Sequence, residues 1–204
     1  MKILKYVLYG IIIIAALFLS MGIIQPTITY GHEISVDKPV EEAWGVGLDE
    51  SKYHQWLEGY RSSELIEGEY AQAGSKYKVI VVPGPGQPEF EMIQTMVSLK
   101  EYNQVDLHFD SDFMEMDQTY QYTQKDGKTH VGSLAKVRAK GLITRSMFAL
   151  METLGGSFTK QERKNMEAFK TAIQENTTNY YPNNADLSPA SVESSAVGSA
   201  QENQ

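Results

Sequence analysis

The N-terminus of this chain carries an uncharged run, YVLYGIIIIAALFLSMGII, which extends from Tyr6 to Ile24. At a helical rise of about 1.5 Å per residue, the run would span roughly 28 Å, close to the ~30 Å hydrocarbon core of a bilayer. Backbone polar groups in lipid must be satisfied within the segment itself, so such a run is typical of one membrane-spanning helix. We predict an N-terminal anchor in residues 1–26, with a single pass through the bilayer at residues 6–24.

The charges that flank this run predict its orientation. Lys2 and Lys5 precede it, and the next Lys or Arg along the chain is Lys38. Because positively charged flanks stay on the cytoplasmic side, the N-terminus is predicted to be cytoplasmic. The rest of the chain would then lie on the extracytoplasmic side, in a periplasm or outside the cell.

A cleaved secretory signal peptide is the alternative interpretation of the same run. Signal peptides have an apolar core of about 7–15 residues, which ends at a cleavage site made of small residues. The run here is longer, and its end at Leu19-Ser20-Met21-Gly22 lacks a good Ala-x-Ala pattern. These features favour an uncleaved anchor, and both interpretations place the remaining domain outside the cytoplasm.

The remaining sequence divides into one domain and a polar tail. Residues 27–176 are enough to bury a sizeable core. Residues 177–204 contain no Lys or Arg and many Ser, Asn and Ala. A segment of this composition cannot bury enough apolar surface to offset the entropy of ordering it. We therefore predict that the tail is disordered.

Composition excludes several classes of function. The chain has 18 Lys and Arg against 26 Asp and Glu, and an acidic domain without basic clusters is a poor nucleic-acid binder. It has no cysteine, which excludes disulfides, thiolate zinc sites and cysteine nucleophiles. Its 4 histidines are scattered without the spacing of zinc-binding motifs. We predict no metal and no cofactor.

Hydrophobic periodicity predicts the order of the secondary-structure elements. Residues 27–36 alternate as a half-buried strand should, and KPVEEAWGVG and DESKYHQWL follow as two short helices. About six further strand-like stretches continue to THVGSLAKVRAKG, with a hairpin signal at Asp126-Gly127. After Gly141 the period changes from two to about 3.6 residues, which predicts helix as far as about Glu175.

One sheet with a face to bury and one long amphipathic helix predict an α+β fold. In this fold a curved antiparallel sheet of about seven strands surrounds the C-terminal helix. The pair Gly155-Gly156 leaves open whether that helix is kinked or broken. The sequence TKQE, residues 159–162, has the pattern of a capping box that starts a second helical stretch. Before that pair, one helix face carries Met147, Leu150, Met151 and Leu154.

Several segments of residues 28–175 resemble one family, the START/polyketide-cyclase-like (SRPBCC) helix-grip superfamily. They are ISVDKPVEEAW, SKYHQWLEG, GEYAQAGSKYKV and the ending FALMETLGGSFTKQERKNMEAFKTAIQEN, which looks like the final helix of membrane-anchored members. The resemblance implies a helix-grip fold that holds an apolar ligand between the sheet and the long helix. It also implies, for a few members, the cyclisation or dehydration of polyketide chains.

Predicted strands carry Met and aromatic side chains on one face. Met is adaptable and Tyr combines an apolar body with a polar tip, a mixture that suits a cavity for varied apolar ligands. From the sequence alone, simple core packing is the favoured explanation of the same pattern, because such stripes are common in protein interiors. The cavity itself is implied by the resemblance. The candidate cavity residues are His32, Phe90, Met92, Met96, Met114, Met116, Tyr120, Tyr122 and Met151.

Three functions fit these observations. The favoured hypothesis is a membrane-anchored domain that binds a hydrophobic small molecule or lipid. The second is an enzyme of cyclase or dehydratase type with His32, Tyr120 or Tyr122 as proton carriers, although the sequence offers no paired acid and base. The third is a scaffold whose groove binds an envelope protein, with the acidic surface setting specificity.

Overall fold

A computed structural model describes residues 2–84 and 86–180. Most of the predicted disordered tail, residues 181–204, lies outside the described residues. Tyr180 packs against the domain: its hydroxyl donates to Asp49 Oδ2 at 2.8 Å. The Lys52 ammonium lies 5.3 Å from the centre of the Tyr180 ring.

The described chain contains five α-helices and seven strands in the predicted order. A 3-10 turn at Glu50–Lys52 separates the second and third helices. The helices are α1 (Lys2–Ile24), α2 (Val40–Leu48), α3 (Tyr53–Trp56), α4 (Leu142–Gly155) and α5 (Ser157–Gln174). The strands are β1 (Ile28–Val36), β2 (Tyr60–Glu67), β3 (Lys76–Val81), β4 (Phe90–Lys100), β5 (Gln104–Asp110), β6 (Met114–Lys125) and β7 (Lys128–Ala139).

All seven strands form one antiparallel sheet in the order β1-β7-β6-β5-β4-β3-β2. Strands β2 to β6 each pair with the next strand along the chain, and β7 pairs with β1. Helices α2 and α3 carry the chain from β1, at one edge, to β2 at the other. The α+β fold class and the antiparallel sheet of seven strands that the sequence predicted are confirmed.

Helix α5 covers the inner face of the sheet next to β1. Its apolar side recurs at helical spacing, with Met166, Phe169 and Ile173 fully buried. The ring of Phe169 lies 4.4 Å from that of Trp56, measured between centroids, which joins α5 to α3. The main core therefore lies between α5, the short helices and the β1 side of the sheet.

The C-terminal helix is broken rather than kinked. Gly156 has φ 58° and ψ 40°, the left-handed conformation. Glycine adopts this conformation without the steric penalty of a Cβ atom, and it is the common way to end a helix. Helix α4 therefore ends at Gly155, and α5 leaves in a new direction.

The predicted capping box is wrong. Helix α5 begins at Ser157, two residues before Thr159. Its first turn is capped from α4 instead, because Glu152 Oε2 accepts a hydrogen bond from the Phe158 N–H at 2.8 Å. Glu162, which a capping box would keep at the surface, is buried.

The predicted apolar face of α4 exists, but it points away from the core. Met147, Met151 and Leu154 are exposed, whereas Ser146, Phe148 and Ala149 are buried. The neighbour of α4 is α1, which packs along it. Within the described residues, α1 is the helix long and apolar enough to cross a membrane, a test that a signal sequence also passes.

Candidate ligand cavity

A cavity of about 320 Å³ lies between the inner face of the sheet, the α2–α3 segment and the start of α5. Its wall is mostly apolar and includes Trp56, Val79, Leu107 and Phe109. Pockets for small organic ligands start at about 300 Å³, and an engineered cavity of roughly 150 Å³ already binds benzene. The space is therefore large enough for a small hydrophobic molecule.

Most of the candidate residues meet at this wall. They come from β4 and β6, the two strands on either side of β5. Inward-facing positions alternate with outward ones along each strand, which brings these side chains onto one face. Their role as ligand contacts stays a prediction. The candidates at the wall are Phe90, Met92, Met96, Met114, Met116, Tyr120 and Tyr122.

Two candidates do not line the cavity. His32 faces α5, where its Nε2 lies 3.1 Å from Glu167 Oε1 in a partly exposed pair. This follows from the position of α5, which covers β1 directly and so closes the space above His32. Met151 is exposed on α4, because α4 packs beside α1 instead of above the sheet.

A buried polar cluster interrupts the apolar wall. It consists of Glu162 on α5, Gln118 on β6 and Ser133 on β7, all of them buried. The Ser133 hydroxyl donates to Glu162 Oε1, and Gln118 Nε2 donates to Ser133 Oγ at 2.5 Å. Gln118 Nε2 also lies 3.5 Å from Glu162 Oε1. Glu162 and Gln118 both line the cavity, so the ligand space contains one fixed polar position.

Burial raises the pKa of the Glu162 carboxyl, and the hydrogen bonds from Ser133 and Gln118 partly oppose that rise. Desolvation disfavours the charged form of an acid, whereas donors to the carboxylate favour it. Glu162 was missed in the sequence because it completed a capping-box pattern. Its helical spacing did indicate burial, because positions 162, 166, 169 and 173 lie on one helix face. The other three residues of that face are apolar.

The arrangement of the cavity does not favour proton transfer by the three proposed proton carriers. Burial raises the pKa of Tyr120 and of Tyr122, which makes both phenols weaker acids. His32, the third candidate, lies outside the cavity wall. Proton transfer near neutral pH works best when the group has a pKa near the operating pH. The two phenols at the wall are therefore poorer proton donors than a solvent-exposed tyrosine.

A second polar group lies where the segment after α3 meets α5. Glu58 accepts hydrogen bonds from Gln161 Nε2 at 2.5 Å and from Lys164 Nζ at 2.7 Å. The Glu58 N–H donates to Asn165 Oδ1 at 3.2 Å. Glu58 is exposed, and it lines the cavity together with Gln161 and Asn165. These side chains form a polar rim on the solvent side of the apolar wall.

No family model and no curated protein matches this chain. Solved structures do match it. A conserved protein from Geobacillus kaustophilus has 18% identity and a TM-score of 0.58, over 72% of this chain and 95% of that one. The major latex-like protein 151 of Panax ginseng has 9% identity and a TM-score of 0.55, over 72% of this chain and 98% of that one.

A third match is the di-domain ARO/CYC protein BexL of the BE-7585A biosynthetic pathway. It has 11% identity and a TM-score of 0.56, over 75% of this chain and 52% of that one. Identities this low show a shared architecture and nothing finer. The chain has the helix-grip fold of these structures, as the sequence resemblance implied.

Proposed function

We propose that this protein is a membrane-anchored domain that binds a hydrophobic small molecule or lipid on the extracytoplasmic side. The observation that carries the proposal is the cavity of about 320 Å³ between the sheet and α5. Native interiors are packed as densely as organic crystals, so a space of this size with an apolar wall is not ordinary core packing. Its position between sheet and helix is that implied by the family resemblance.

The fold comparisons support this proposal. One matched structure is described as part of a biosynthetic pathway, the di-domain ARO/CYC protein BexL. A cyclase-like activity would place a substrate in the same cavity, but the pKa directions of Tyr120 and Tyr122 do not favour it. Binding without chemistry is the function that the described residues support best.

Helix α1 supports the membrane part of the proposal. Side chains along it are exposed and apolar, among them Ile12, Ile14 and Leu17, which is the surface that a lipid-facing helix presents. Lys2 and Lys5, which precede the apolar run, favour a cytoplasmic N-terminus. The linker to β1 is Gln25-Pro26-Thr27, so the domain is held at the bilayer, where apolar ligands are concentrated.

Native mass spectrometry tests the proposal on the full chain released from lipid nanodiscs. After incubation with dodecanol, we expect a one-to-one complex that survives removal of loosely bound lipid. The cavity offers one apolar space, so a single dominant stoichiometry should appear. A folded chain that retains no apolar molecule and takes up no dodecanol would contradict the proposal.

A further inference from the structure

The cavity wall contains two acidic side chains and no basic one. Its two ionisable acids are Glu58 at the rim and Glu162 inside, and among the described residues that line it there is no Lys, Arg or His. An anionic headgroup that entered this space would lose its hydration and find no cation to replace it. Glu58 is already paired with Lys164, so the carboxyl that would repel the headgroup is that of Glu162, which forms no ion pair among the described residues.

Glu162 can accept a hydrogen bond from a ligand that carries a donor group. Its hydrogen bonds with the described residues, from Ser133 and Gln118, both go to Oε1. Oε2 is left to accept a hydrogen bond from a group inside the cavity. Hydrogen bonds to a charged or strongly polar acceptor in a low-dielectric site are among the stronger ones in proteins.

We propose that the cavity selects neutral apolar molecules that carry a hydrogen-bond donor, such as an alcohol, and rejects molecules with a carboxylate head. The donor hydroxyl binds Glu162, and the apolar body lies against the Met and aromatic side chains of β4 and β6. This inference rests on the proposed ligand-binding function and names the chemical class of the ligand.

Indole fluorescence tests this selectivity. Of the two tryptophans, Trp56 lines the cavity and Trp44 is buried in the core, so the part of the emission that bromine quenches reports on Trp56. The full chain in nanodiscs is titrated with bromoundecanol or with bromoundecanoate at a pH where the acid is ionised, since bromine quenches indole on contact. The hydrogen bond and the absent repulsion together predict saturation by the alcohol at a concentration at least about tenfold lower than by the acid.

Substitution of Glu162 tests whether its carboxyl causes the preference for the alcohol. Glu162→Gln keeps the shape of the side chain and should bring the two probes within about threefold of each other. Glu167→Gln, which changes an exposed carboxyl of the same helix, should leave the preference unchanged. Equal saturation of the wild-type chain by both probes would overturn the selectivity, whereas quenching by neither would overturn the proposed function itself.

A separate observation concerns the packing of α4 on α1. A Cβ atom added at Gly22 would lie 2.6 Å from Ser146 Oγ and 2.7 Å from Ser146 N, so the two helices approach at a residue without a side chain. Ser146 Oγ lies 3.3 Å from the Leu19 carbonyl oxygen, and Thr153 Oγ1 lies 3.4 Å from Gln25 Oε1. Ser146 lies beside Leu19 and Gly22, and Thr153, further along α4, lies beside Gln25, further along the chain from α1. Helix α4 therefore runs parallel to the last turns of α1.

The outer face of α4 is an exposed apolar stripe. Ile143 is 71% exposed, Met147 and Met151 are each 44% exposed, and Leu154 is 78% exposed. Their spacing of four, four and three residues places them on one side of the helix. Because α4 lies against α1, this stripe continues the apolar surface of the anchor.

We infer that α4 is a second membrane-contacting element, a helix whose first turn enters the lipid beside Leu19 while its end stays near the interface. Apolar helix faces next to a bilayer bury readily in its interfacial region. The contact would fix the orientation of the domain above the membrane. This inference rests on the proposal that α1 spans the bilayer.

Spin labels on single cysteines test the immersion, since the full chain contains no cysteine of its own. In proteoliposomes, labels at Ile143→Cys and Leu154→Cys should be more accessible to oxygen than to a water-soluble nickel chelate, and Ile143 should lie deeper. Leu17→Cys on α1 and Lys160→Cys on α5 serve as lipid and water references. If the label at position 143 lies in water while the label at position 17 lies in lipid, α4 does not contact the membrane. If the label at position 17 also lies in water, α1 is not a membrane anchor.

Discussion

Replacing Phe169 by alanine should destabilise the domain by about 3–5 kcal/mol, the usual loss for truncating a fully buried aromatic side chain. Phe169 has no exposed surface, and its ring stacks at a tilt on Trp56 with centroids 4.4 Å apart. Removing it leaves a cavity between α3, α5 and the sheet that the surrounding backbone cannot refill. Urea unfolding followed by circular dichroism measures the change.

Phe109→Ala is the matched control for that experiment. Phe109 is half-buried and faces the ligand cavity on one side, so fewer packing contacts depend on it. The loss of stability caused by Phe109→Ala should be clearly smaller than that caused by Phe169→Ala. Equal destabilisation by the two variants would contradict a packed core around Phe169 and an open space beside Phe109.

Filling the cavity with Val79→Phe should reduce dodecanol binding by at least about tenfold, a change in binding free energy near 1.4 kcal/mol. Val79 is buried in β3 and lines the cavity, so the added ring occupies ligand space. In a solid core the same substitution would destabilise the fold by about 1–3 kcal/mol through overpacking. Here the free space accepts the ring, and the loss of stability should be smaller.

Val97→Phe is the control, because it adds the same ring to an exposed position on β4. It should leave binding and stability nearly unchanged. Binding is measured by Trp56 quenching with bromoundecanol on the full chain in nanodiscs. A Val79→Phe chain that is strongly destabilised yet binds the alcohol as well as wild type would show that the ligand lies elsewhere.

The fold was predictable because its signals are local and repeat along the chain. The alternation of β1 and of β4 to β7, and the change of period after Gly141, reflect which residues face a single interior. Inward positions on β4 and β6 followed from the same alternation. For this reason most candidate cavity residues meet at one wall in the structure.

The wrong placements of Met151 and His32 have a different origin. Periodicity tells which residues of a helix share a face, but it does not tell which neighbour covers that face. Met151 was therefore taken for a cavity residue, although α4 packs on α1. His32 was misplaced for a related reason, since the sequence does not show where α5 crosses the sheet.

Glu162 illustrates a conflict between two local patterns. The capping-box motif places it at a helix start, whereas the helical spacing to Met166 and Phe169 places it on the buried face. The second pattern holds because Glu152 already caps α5. A charged residue on an otherwise apolar helix face was the available sign of a polar position inside the cavity.

A crystal structure of the full chain with bromoundecanol would locate the bound ligand through the anomalous signal of bromine. We expect one strong bromine site inside the space bounded by Trp56, Met116 and Phe109, with the hydroxyl of the same molecule at Glu162. Bromine found only along the outer surfaces of α1 and α4, with side chains filling the interior, would contradict this expectation.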